Sequence, residues 1–123
     1  VFKKVLRREG KGIFQGKILV KPMAQKTDGY QLSQALLLDE ESQFLVKPEL
    51  EIYADDVACS HGSTSGAIDE EALFYLRSRG IPDEKARELL VLAFLAEVFD
   101  EIDSAEIAEE LVNHLQLYLS GYL

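Results

Sequence analysis

The chain has 123 residues, 47% hydrophobic and 28% charged, with a formal net charge of −9 and one cysteine. That length suits one domain, or two small units sharing a core, and the acidic balance without any basic run excludes nucleic acid and anionic membrane surfaces as natural partners. A lone cysteine makes no internal disulfide, which points to a reducing compartment.

The segment Phe2-Lys3-Lys4-Val5-Leu6-Arg7-Arg8 lacks the sustained apolar core of a signal peptide. Val1 stands where a complete chain would have Met, so a piece of a longer protein is expected. Phe14, Gly16, Ile18 and Val20 alternate with Gln15, Lys17 and Leu19, the period of a half-buried strand. Thr27-Asp28-Gly29 is a turn signal, and Leu36-Leu37-Leu38 reads as a short buried strand ended by Asp39-Glu40-Glu41. Leu50, Ile52 and Ala54 alternate with Glu49, Glu51 and Tyr53, a strand with one acidic face, and Pro48 marks its start or an edge position. Such strands without crossover helices fit a small sandwich or the coils of a β-solenoid.

From Asp69 the period becomes helical. Asp69 can cap a first helix with a buried stripe of Ala72, Leu73 and Leu76, and Gly80 can end it. Pro82, Asp83 and Glu84 open a second helix that is apolar nearly all round from Leu89 to Ala96. That run is far short of the roughly 20 residues that span a bilayer. Asp103 and Glu106 resemble a capping box for a third helix with the stripe Ile107, Leu111, Leu115 and Tyr118.

Cys59 and His61 stand two apart where the alternating pattern ends, so on a strand they project to one side. A thiol and an imidazole can begin a soft-metal site, but two ligands leave it incomplete. A catalytic Cys–His dyad fits less well, because strand positions two apart lie about 6.6 Å from each other. A buried structural cysteine is the plain alternative. Gly62-Ser63-Thr64-Ser65-Gly66 lacks the Lys-Ser/Thr pair of a phosphate loop and reads as a turn into the first helix. His114 reads as a surface or partly packed histidine, and Asp55-Asp56 as a solvated turn. Phe74 and Tyr75 lie off the first helix's buried stripe, followed by Arg77 and Arg79. This pattern fits a docking surface as well as a complement to the helix dipole.

The stretches Leu50-Glu51-Ile52-Tyr53-Ala54-Asp55-Asp56-Val57, Cys59-Ser60-His61-Gly62 and Leu73-Phe74-Tyr75-Leu76-Arg77-Ser78-Arg79-Gly80-Ile81 resemble the SufB/SufD family of iron–sulfur cluster assembly proteins. Phe14-Gln15-Gly16 and Ala24-Gln25-Lys26-Thr27-Asp28 match the same pattern, so the likeness covers roughly residues 10 to 100. Cys-Ser-His-Gly places the chain on the SufD side, where SufB-like chains carry a Gly-His-Glu run. The resemblance implies an α+β fold: the C-terminal coils of a right-handed β-helix over residues 1–66, then a small three-helix unit over 67–123. It implies a cytoplasmic or plastid-like scaffold with no catalytic activity and no tightly bound cofactor of its own. Such a scaffold pairs with SufB through the β-helix and recruits the ATPase SufC through the helices. A transient iron–sulfur cluster would form at the SufB–SufD interface, with His61 and the neighbouring Cys59 at that site. The SufC-docking role falls on Phe74, Tyr75, Arg77, Ser78, Arg79 and Gly80, and the open β edge makes self-pairing of isolated chains plausible. Two other readings stand beside this one: an interaction module with no metal role, and a Cys–His thiol enzyme.

Overall fold

The alternation of the N-terminal half is realised as five strands. They are β1 (Phe2–Leu6), β2 (Lys11–Val20), β3 (Asp28–Leu37), β4 (Gln43–Ile52) and β5 (Ala58–Gly66). Three helices follow, α1 (Glu70–Ser78), α2 (Asp83–Ala96) and α3 (Ala105–Leu119), with a 3₁₀ turn at Glu97–Glu101. This computed structural model describes residues 1–121. The chain is α+β and divides into two compact units, Val1–Gly66 and Ala67–Leu123.

In the first unit the strands alternate between two sheets. One has the order β1-β3-β5 and the other contains β2 and β4; all three pairings are parallel. Phe2 opposes Ser33, Lys11 opposes Gln43 and Asp28 opposes Ala58, offsets of 31, 32 and 30 residues. The chain therefore returns to the same sheet after nearly the same number of residues each time.

Alternation fixes which side chains face inward. On β2 the set Phe14, Gly16, Ile18 and Val20 is more buried than Lys11, Ile13, Gln15, Lys17 and Leu19. On β4 the inward set is Phe44, Val46, Pro48 and Leu50. The acidic residues stay outside, where Glu51 pairs with Lys17 Nζ at 2.5 Å, and Glu51 first, with weaker help from Glu49 and Tyr53, raises the Lys17 pKa. Phe2 and Phe14 stack inside with centroids 4.3 Å apart.

Several expectations change. Gly62–Gly66 is not a turn but the second half of β5, because its backbone continues the ladder with Leu32 through Leu36. The strand ending in Leu36-Leu37 is ten residues long and starts at Asp28. Pro48 sits mid-strand on β4, an edge strand, where a missing N–H is tolerated.

In the second unit Asp69 caps α1, its carboxylate accepting from the Glu71 and Ala72 N–H groups at 2.9 and 3.1 Å. Gly80 follows the helix at φ +88°, a left-handed conformation that glycine adopts without steric cost. Leu73 on α1 and Ala86 and Val91 on α2 are fully buried, and α2 packs against both α1 and α3. The third helix is capped by Ser104, not Asp103, through its hydroxyl and the Ile107 N–H. Its packed stripe is Ala108, Val112, Leu115 and Leu119, so Ile107, Leu111 and Tyr118 are exposed. The apolar surface of α3 is wider than one stripe, and packing selects the flank centred on Val112.

Candidate functional site

β5 ends the three-stranded sheet, and its residues Cys59, Ser60, His61, Gly62 and Ser63 lie opposite Gly29, Tyr30, Gln31, Leu32 and Ser33 of β3. Two close approaches fix the facing. A Cβ built on Gly29 would lie 3.6 Å from Cys59 Sγ, and one built on Gly62 would lie 2.6 Å from the Tyr30 hydroxyl. Tyr30 is 60% exposed and on the outer side, so Cys59, His61, Ser63 and Ser65 form a row on the inner side, with Gln31, Ser33 and Ala35.

That inner row differs from those of β2 and β4. β2 and β4 turn aromatic and aliphatic side chains inward, whereas β5 turns a thiol, an imidazole and two hydroxyls. Cys59 is half-buried and His61 exposed. The structure thus puts both on one face, as their spacing requires. Among the described residues no group of three or more His, Cys, Asp or Glu side chains is gathered around a point that could hold a metal. Two such donors on an open strand are half of a ligand set, and a soft metal centre held there would need further donors from outside the described residues.

The other sequence-derived residues gather on α1. Phe74 is 73% and Tyr75 56% exposed, and the Arg79 guanidinium lies over the Tyr75 ring at 5.1 Å. The Ser78 hydroxyl donates to the Tyr75 carbonyl at 2.7 Å, and Arg77 reaches Asp83 at 3.4 Å. Phe74, Tyr75 and Ser78 line a depression of about 570 Å³ with Glu70 and Glu71. This patch combines an exposed aromatic pair with oriented cations, the composition of interface anchors.

His114 is exposed, its Nδ1 3.1 Å from the Glu110 carbonyl, in keeping with a surface role. Asp56 belongs to a turn and pairs with Lys26 at 3.1 Å.

Residues 1–94 fit the family model described as SUF system FeS cluster assembly, SufBD core domain. The chain belongs to the SufB/SufD family. It is SufD-like: the iron–sulfur cluster assembly protein SufD of Escherichia coli is 40% identical over 119 residues, 97% of this chain and 28% of that protein. An iron–sulfur cluster assembly SufBD family protein of Synechocystis is 45% identical over 95 residues, 77% of this chain and 21% of its own length. Protein ABCI7, chloroplastic, of Arabidopsis thaliana is 38% identical over 112 residues, 91% of this chain and 24% of its own. The chain thus spans less than a third of the length of each of these relatives.

Sequence reasoning singled out Cys59 and His61 but not the residues beside them on β3. Gln31 and Ser33 carry no motif of their own. What could have revealed them is polarity at inward positions of a strand that closes on Ala35, Leu36 and Leu37.

Proposed function

We propose that this SufD-like chain is part of a non-catalytic scaffold on which an iron–sulfur cluster is assembled as cargo. The observation that carries this reading is the placement of Cys59 and His61 on one face of β5, the terminal strand of its sheet. The strand unit supplies the last coils of a right-handed β-helix. The return of the chain to alternate parallel sheets every 30 to 32 residues supports that architecture. The partner at the open end is SufB, which completes the ligand set. β5 carries no proline and no Asp, Glu, Lys or Arg, while the edge strand β4 carries Lys47, Pro48, Glu49 and Glu51. Charges and proline blunt an edge against pairing, so β5 is the edge left available. SufC docks on the α1 patch from Phe74 to Gly80. The cluster passes through, no cofactor resides on this chain, and the bacterial cytoplasm or plastid stroma supplies the reducing setting.

The test is His61→Ala in the full-length protein, co-expressed with its partners and purified without oxygen. Iron and acid-labile sulfide in the complex should fall while assembly of the subunits persists. Unchanged cluster content would make His61 a structural residue. The lack of a third ligand among the described residues favours one second reading, a plain interaction module. A complex carrying neither iron nor sulfide under any loading condition would select it.

A further inference from the structure

Behind the Cys59–His61 row, β3 carries two buried polar atoms with no hydrogen-bond partner among the described residues, Gln31 Nε2 and Ser33 Oγ. Buried polar groups in native folds are almost always bonded, and an exception calls for a reason. Gln31 is the register partner of His61 on the same inner face. Its carboxamide lies over Gly16 of β2, where a Cβ would come within 2.7 Å of Oε1 and 2.9 Å of Nε2. The glycine therefore makes room for this amide, and the space accepts it either way round, oxygen and nitrogen being nearly equal in size. Along the β3–β5 ladder its register neighbour, one strand spacing of about 4.8 Å away, is His61.

We infer that Gln31 is the positioning residue of His61: its Oε1 accepts the N–H of one ring nitrogen and so leaves the lone pair on the other. A histidine that ligates a soft metal donates its second nitrogen to an acceptor of this kind, which fixes both tautomer and ring orientation. With the amide oxygen turned to the ring, the free nitrogen faces the open side of β5. Gly16 acts at one remove, by keeping the amide in place. This inference rests on the assignment of His61 to cluster assembly, and its test separates the two.

The full-length protein, labelled with ¹⁵N-histidine, is compared with Gln31→Met, Gln31→Glu and Gly16→Ala by NMR of the ring nitrogens. His61 should show one tautomer in the parent protein and in Gln31→Glu, which keeps an acceptor at the same reach. It should become a mixture in Gln31→Met, which keeps the volume alone, and in Gly16→Ala, which displaces the amide from the other sheet. In the loaded complex Gln31→Met should lose its cluster to a chelator about tenfold faster, the lower end of what loss of such a supporting bond costs. Identical His61 nitrogen signals in the parent and Gln31→Met overturn the inference. A tautomer change in Gln31→Met, combined with unaltered cluster content in His61→Ala, upholds the hydrogen bond and removes His61 from assembly instead.

Discussion

The Lys26 ammonium stands 3.1 Å from the Asp56 carboxylate, and the two residues belong to turns 30 positions apart in the chain. The contact is more than an ion pair. The Lys26 N–H donates to the Asp56 carbonyl, and the Asp56 N–H donates to Gln25 Oε1 at 2.9 Å. One corner is thus laid on the next with the same offset as the β3–β5 register. Lys26 holds φ +62° to do so. Lys26→Val should destabilise the strand unit by about 1–3 kcal/mol, since a β-branched side chain is strained there. Lys26→Gly should lose the exposed ion pair yet remain within about 1 kcal/mol of the parent. Urea unfolding of the three proteins reads the difference.

How far the sequence discloses this fold depends on what each signal reports. The inward set of β2 and Leu50 on β4 were legible because burial of Phe14, Ile18, Val20 and Leu50 imposes a period of two, but Ile52, next in the same alternation, is 40% exposed at the strand end. The repeat of about 31 residues was not, because the ladder requires backbone and facing to recur, not identities: Gly29 opposes Cys59, and Gln31 opposes His61. Local turn chemistry misled at Gly62–Gly66, where small polar residues serve an exposed final strand. On α3 the amphipathic pattern was real, but its centre is fixed by packing against α2, which a single helix cannot reveal. Cys59 and His61 were found by spacing, and the orphaned amide of Gln31 became visible only through the register that sets it behind them.

The α1 start is a second place where one side chain does much. Asp69 satisfies two of the four N–H groups that the first turn leaves without partners. Asp69→Ala should cost about 1 kcal/mol of helical-unit stability, and Asp69→Asn much less. Thermal unfolding followed by the helical circular dichroism signal distinguishes them. Equal losses in both variants would mean that charge, not the cap geometry, stabilises this end.

Neighbouring residues on α1 should behave in opposite ways. Leu73 is 1% exposed, so Leu73→Ala should destabilise by about 2–5 kcal/mol through the cavity it leaves. Phe74 is 73% exposed, so Phe74→Ala should change stability by no more than about 0.5 kcal/mol, and the docking role proposed for α1 requires that it weaken capture of SufC. Co-purification with SufC, measured beside an unfolding curve for each variant, checks both. Undiminished SufC capture by a folded Phe74→Ala, Arg79→Glu double variant would remove this patch from the docking surface.

Acid should act on the helical unit through Asp83. The hydrogen bond from Arg87, with the nearby charges of Arg87 and Arg77, holds its carboxyl below the usual value against the opposing effect of burial. The geometry agrees: Arg87 Nε lies 2.8 Å and Arg77 Nη1 3.4 Å from its oxygens. The folded state therefore binds this proton less readily than the unfolded chain. The stabilisation is complete above the unfolded pKa of about 3.9 and fades as pH falls through the lower folded value. Stability plotted against pH should fall less steeply below about pH 4 in Asp83→Asn than in the parent. Arg77→Glu removes one of the same cations and should flatten that limb too. A loss of SufC binding in Arg77→Glu would then mix docking with a local change at the α2 start. Arg79→Glu keeps the Asp83 pairs and separates the two: SufC binding should fall while the acid limb stays that of the parent.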